Sequence, residues 1–168
     1  MILRHWREAD LVPFRALGVN PGVMEFFPAT LSAAESDALA HQLMAAFAKS
    51  GWGMWAVELP GQAPFIGTVG LKVPAVPLPC SPCVEVAWRL DRDHWGKGLA
   101  TEAAQAVLDY GFSQLGLAEI VSFTALPNVR SKAVMERLGM QPDGEFDHPA
   151  LPEGHWLRRH ALYRKKAP

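Results

Sequence analysis

The chain has 168 residues, 49% of them apolar and 20% charged, which excludes a disordered segment and is long enough to bury a core without a disulfide or metal staple. Sixteen Lys and Arg against 17 Asp and Glu give a formal net charge of −1, which excludes a dedicated nucleic-acid binder, because phosphate neutralisation needs clustered positive charge. No apolar run approaches the roughly 20 residues that span a bilayer. Met1 to Asp10 lacks the basic-then-apolar order of a secretory signal, so the expected address is the cytoplasm.

In chain order, residues 2–6 read as a short strand. Glu8 to Leu17 reads as a helix that ends near Gly18, with Asn20, Pro21 and Gly22 as a breaker. Ser32 and Glu35 form a capping-box pattern. Leu39, Leu43, Ala46 and Phe47 follow at helical spacing, and Gly51 ends that helix. Gly53 to Leu59 and Phe65 to Val73 read as an antiparallel hairpin across a Pro-Gly connection. Val84 to Leu90 is a further strand, Gly98 to Leu115 an Ala-rich helix, and Glu119 to Ala125 a strand. Val129 to Leu138 is a helix and His155 to Arg164 the last strand. Helices between strands in the second half require at least one parallel pair. The expected fold is a single α/β domain over 1–168, with a mixed sheet of about seven strands flanked by helices.

Cys80 and Cys83 stand in a stretch that holds Pro74, Pro77, Pro79 and Pro82, which cannot be the helix start of a thioredoxin-type pair. Zinc needs two more ligands at sensible spacing, and none follows. The two cysteines read as reduced thiols on a loop. His148, His155 and His160 are separated by 7 and 5 residues across a loop and a strand, which is not a metal-ligand pattern.

The informative segment is DRDHWGKGLATEAAQAVLDYGF, residues 91–112. A strand ends, a glycine-bearing loop follows and a helix opens at once. That arrangement gathers unpaired N–H groups and the positive end of a helix dipole at one point. Gly96 and Gly98 let a phosphate approach the backbone, and Lys97 adds a charge. The pattern is neither GxGxxG nor GxxxxGK[ST], so a dinucleotide site and a nucleoside-triphosphate loop are both unsupported.

The segment resembles the pyrophosphate loop of the GNAT N-acetyltransferases, Gln/Arg-x-x-Gly-x-Gly/Ala, with Gly96 and Gly98 at the small positions and Asp93 where Gln or Arg is usual. EVAWRL (85–90) is similar to the family's fourth strand and GLATEAA to its long helix. NVRSKAVMERLGM (128–140) and the closing FDHPALPEGHWLRRHALYR resemble the branch that includes the ribosomal-protein N-terminal (alanine/serine) acetyltransferases.

The resemblance implies acetyl coenzyme A as co-substrate, held between two splayed parallel strands at 84–90 and 119–125. It implies main-chain partners at Trp88, Arg89 and Leu90, and a pyrophosphate cradle over Trp95, Gly96, Lys97, Gly98, Leu99, Ala100 and Thr101. It also implies a cofactor contact from Asn128, which is equally a good N-cap, and a proton-donating role for Ser131, which is equally an ordinary first-turn serine. Glu85 is the implied general base, with Glu25 as the alternative. Tyr163 is the second hydroxyl candidate. Six Trp are present, and Trp55 reads as core while Trp88 reads equally as core or as tunnel wall.

The expected reaction is acetyl transfer to a primary amine by direct attack, with no metal. The leading acceptor is a peptide or protein N-terminal α-amine, and a small-molecule amine such as an amino acid or antibiotic is the alternative. A non-catalytic coenzyme A-sensing module and a thiol or zinc module on Cys80 and Cys83 are rivals of other classes. No direct nucleic-acid or membrane partner is implied, and the chain is expected as a monomer or homodimer.

Overall fold

The computed structural model describes residues 1–168. Its strands are β1 (Ile2–Arg4), β2 (Met54–Leu59), β3 (Ala63–Lys72), β4 (Glu85–Leu90), β5 (Glu119–Ala125), β6 (Gln141–Asp147) and β7 (Arg159–Lys166). Its helices are α1 (Leu11–Val19), α2 (Ala33–Ser50), α3 (Leu99–Ser113) and α4 (Val129–Arg137), with 3-10 turns at Glu8–Asp10 and Arg92–His94. The strands form one seven-stranded sheet in the order β1-β2-β3-β4-β5-β7-β6. Every neighbouring pair is antiparallel except β4 with β5.

Side chains alternate across a strand, so adjacent residues serve opposite faces. Val57, Ile66, Val86 and Leu90 are buried with Ala103, Ala104, Val107 and Leu108 of α3. Ala56 and Phe65 pack on the other face against Phe14 and Leu17 of α1 and Ala40 of α2. Small residues on α3 let the helix lie close to the sheet: a Cβ on Gly111 would stand 2.7 Å from Ile120 Cδ1. Ser32 and Glu35 complete their capping box, and Gly51 closes α2 in the left-handed region. No helix is long and apolar enough to cross a membrane.

Two expectations need correction. Gln141–Asp147 is a strand that the sequence conceals, because QPDGEFD has neither alternation nor strand propensity and buries only Phe146. It is tolerated because it is an edge strand, and its Pro142 lies where the register against β7 shifts. The last strand begins at Arg159, not His155. Residues 148–158 instead form a loop over one end of the sheet, tied by the His148 N–H to the Arg158 carbonyl at 2.8 Å.

Candidate active site

β4 and β5 touch at one end only. Their ladder is reduced to Glu85 opposite Val121, with the Val121 N–H on the Val84 carbonyl at 2.9 Å. One step further the Ser122 hydroxyl donates to the Val86 carbonyl at 2.9 Å, and beyond it the strands part. Peptide groups alternate in direction along a strand. Val84 and Val86 face β5, whereas the Asp91 N–H reaches back to the Ile66 carbonyl of β3 at 2.8 Å. The peptide groups of Trp88 and Leu90 therefore face the gap, and that of Arg89 faces β3, where it pairs with Thr68. Arg89 meets the cleft through its side chain, not through the main chain expected from sequence. The Leu90 carbonyl already accepts from Trp95 Nε1 at 2.9 Å, which leaves the Trp88 peptide group and the Leu90 N–H open.

The gap opens into a cleft of about 810 Å³. One end is the start of α3, where Gly98 is the N-cap and no side chain caps the helix. The N–H groups of Leu99, Ala100 and Thr101 have no intrahelical partner, and the first helical bond runs from the Glu102 N–H to the Gly98 carbonyl. Gly96 and Gly98 have φ of +73° and +78°, and open space lies where their Cβ atoms would be. A side chain at either position would thus be strained by backbone conformation and would fill the approach to the N–H groups. Trp95, Gly96, Gly98, Leu99, Ala100 and Thr101 all line the cleft. Lys97 does not: its Nζ donates to the Asp93 carbonyl at 2.8 Å, on the exposed side of the loop. Asp93 is exposed as well.

The opposite wall is the start of α4. Asn128 caps it, accepting from the Ser131 N–H at 3.2 Å, while its Nδ2 donates to Thr124 Oγ1 at 2.9 Å and Ser131 Oγ at 3.1 Å. Both ends of the amide are engaged, so the capping role holds. Ser131 Oγ is thus an acceptor from Asn128, and its own proton is free to point into the cleft. Tyr163 lines no part of this space, because its hydroxyl donates to Glu136 Oε1 at 3.1 Å.

Trp88, Phe26, Phe27, Asn128 and Ser131 also border a second chamber of about 270 Å³. Glu85, Phe123, His148 and His160 line it, and Lys72 stands at its edge. Glu85 is 5% exposed. Burial raises its carboxyl above the usual range, and Lys72 Nζ at 3.3 Å offsets part of that rise. Burial likewise lowers His148 and His160, whose rings are 4.9 Å apart. Glu25, the alternative base, borders neither chamber. It is exposed and ion-paired with Arg130 at 2.5 Å, which ties the α1–α2 loop to α4.

The sequence reading missed several lining residues. Arg130 lies over Trp95 at 4.8 Å, and nothing local marks it, because it joins the site only through tertiary packing. Phe26 and Phe27 descend from the α1–α2 loop, the stretch that the resemblance implies shapes the acceptor site. His148 and His160, whose spacing is not a metal-ligand pattern, line the second chamber, and no group of three or more His, Cys, Asp or Glu is placed to hold a metal ion. Cys80 and Cys83 are free thiols 3.4 Å apart, outside both chambers. Trp55 packs edge-on against Phe47 and Tyr110, away from the site.

A family model for the acetyltransferase (GNAT) domain matches residues 1–141. An uncharacterized N-acetyltransferase of Bacillus subtilis, YnaD, is 37% identical over 71 residues, 42% of this chain and 41% of that protein, so the match spans about two fifths of the relative's length. The crystal structure of a GNAT-family acetyltransferase from Bacillus anthracis superposes with a TM-score of 0.80 over 98% of this chain and 93% of that one, at 24% identity. Ribosomal-protein-S5-alanine acetyltransferase from Vibrio fischeri has a TM-score of 0.77 at 20% identity, covering 98% and 91% of the two chains. Spermidine N-acetyltransferase from Vibrio cholerae, solved with CoA and spermine, has a TM-score of 0.75 at 22% identity, covering 98% and 94%. At these identities the structural likenesses show the fold, and they do not separate one branch from another.

Proposed function

The chain belongs to the GNAT acetyltransferase family, and from that premise we propose that it transfers the acetyl group of acetyl coenzyme A to a primary amine by direct attack. The observation that carries this reading is the adjacency of the two chambers: a cleft ending in free helix N–H groups shares Trp88, Asn128 and Ser131 in its wall with a smaller chamber holding a buried carboxylate. The residues fit the co-substrate. The Leu99, Ala100 and Thr101 N–H groups and the open approach at Gly96 and Gly98 suit a pyrophosphate. The open Trp88 and Leu90 groups suit an arm that pairs as an added strand. Acetyl coenzyme A supplies the activated thioester when bound.

The chain's own groups handle protons and charge. An amine near neutral pH is mostly ammonium, and Glu85, with its raised carboxyl pKa, is the buried base in the second chamber that takes a proton from it. The Trp88 and Leu90 N–H groups are the donors available to a developing oxyanion. Ser131, with Oγ held by Asn128, has a proton to give a thiolate leaving group.

The leading acceptor is the α-amine at a peptide or protein N-terminus, in keeping with the ribosomal-protein acetyltransferase likeness. A chamber of about 270 Å³ takes the end of an acceptor and not a folded surface. A small-molecule amine is the second reading, supported by the comparable structural likeness to a spermidine acetyltransferase. Thiol release from acetyl coenzyme A across peptides, amino acids, polyamines and aminoglycosides tests both. Turnover best with peptides supports the first, turnover best with small amines the second, and no release with any amine contradicts acetyl transfer.

A further inference from the structure

Arg89 is a largely covered cation without an anion. Arg4 has Asp10 at 2.7 Å and Glu58 at 2.5 Å. Arg15 pairs with Asp37, and Arg164 with Glu119 and Asp143. The Arg89 Nη1 is sealed from solvent with no hydrogen-bond partner, and no carboxylate forms an ion pair with this guanidinium. Its plane lies instead on aromatic rings, 4.3 Å from the Phe27 centroid and 5.6 Å from that of Phe14. Contact with the rings recovers part of the lost hydration of a guanidinium, and it leaves Nη1 without a hydrogen bond. An uncompensated buried charge is among the more costly features a fold retains.

Arg89 lines the large cleft and not the second chamber, and Phe27, on which its side chain rests, borders both. On β4, residues 85, 87 and 89 share one face, so Glu85 and Arg89 lie on the same side of the sheet with only the small Ala87 between them. We propose that the Arg89 side chain receives a carboxylate carried by the acceptor, so that the substrates are amines that also bear an anionic group. This inference rests on the acetyl-transfer reading and narrows its substrate class. One face of β4 then presents a base for the ammonium end and a cation for the carboxylate end. Burial lowers the Arg89 pKa to about 10, so the cation persists at neutral pH. A cofactor pyrophosphate offers the same anionic chemistry, and it already has the α3 N–H groups to meet it.

The test uses the full chain saturated with coenzyme A and amines in pairs that differ only in carboxylate against carboxamide. The probes are free amino acids against their amides, and short peptides with Asp against Asn at the second position. Calorimetry reads binding and thiol release reads turnover. A charge-assisted pair is expected to make the carboxylate member of the best pair bind about ten- to a hundred-fold more tightly. Arg89→Met should erase that preference and leave the amide member and coenzyme A affinity within about two-fold, and Arg89→Lys should restore part of it. Equal binding within every pair, absence of binding by any member, or an Arg89→Met protein that keeps the preference overturns the proposal. An Arg89→Met protein that loses coenzyme A instead assigns the guanidinium to the cofactor and overturns it too. Turnover of amines without a carboxylate preference defeats this inference alone. No thiol release with any amine defeats the acetyl-transfer reading, and the binding arm still decides for Arg89.

Discussion

The Asn128 amide holds Ser131 from two sides, accepting from its backbone N–H at 3.2 Å and donating to its Oγ at 3.1 Å. The serine hydroxyl is thereby fixed in place with its proton unassigned to any protein acceptor. In the proposed reaction that proton serves the leaving thiolate, whose need for it grows as the C–S bond breaks.

Ser131→Ala should lower kcat by about ten- to a hundred-fold, within the range of a general acid, and change coenzyme A affinity little. Tyr163→Phe should do less, because that hydroxyl is bound to Glu136 outside the cleft. Steady-state kinetics and coenzyme A titration of both variants check this. Full turnover in Ser131→Ala beside a dead Tyr163→Phe would reverse the assignment.

In the proposed reaction Glu85 links activity to pH. Its carboxyl is raised by burial, so kcat/KM should fall as pH drops through a value above the ordinary glutamate range. Glu85→Gln should reduce kcat by about a hundred-fold or more and remove that limb of the profile. Stability runs the other way. A raised carboxyl means that the folded chain keeps this proton to higher pH than the unfolded chain does. Its stabilising contribution is complete below the ordinary glutamate range and is lost as pH rises through the raised value. Thermal melts across pH should show Glu85→Gln gaining on the wild type toward alkaline pH. A variant that gains nothing on the wild type as pH rises would show that the carboxylate is better solvated than its burial indicates.

The two cysteines should be spectators. Burial is the main cause that pushes the Cys83 thiol up to about 11, so it is almost wholly protonated near neutral pH, and both sulfurs lie outside the chambers. Replacing both by Ser should keep activity within a few-fold. Ping-pong kinetics, or loss of turnover in that double variant, would show an acyl-thiol step and refute direct attack.

Most of the fold was legible in the sequence because its elements carry local signals. Ser32 with Glu35 announces a helix start, and the Gly96 to Gly98 loop before Leu99 announces another. The strand at Gln141–Asp147 was not legible, since edge pairing to β7 and not propensity makes it a strand. The proposed pyrophosphate cradle is one continuous stretch of chain, and its glycines and first helical turn are readable directly. The smaller chamber is assembled from Phe27, Glu85, His148 and His160, and no spacing rule joins residues from two loops and two strands. The Arg89 side chain was overlooked for a related reason. The sequence assigns it to a strand, and only the packed structure shows that no carboxylate meets it.

Calorimetric titration of coenzyme A into the wild type and Gly98→Val tests the central assignment most directly. Gly98 has φ of +78° and no atom near its would-be Cβ, so valine there strains the loop by about 1–2 kcal/mol without a clash inside the fold. The expected result is one coenzyme A per wild-type chain and at least a ten-fold loss of affinity in a variant that still melts cooperatively. Equal affinity in the two proteins would contradict a cradle at the start of α3.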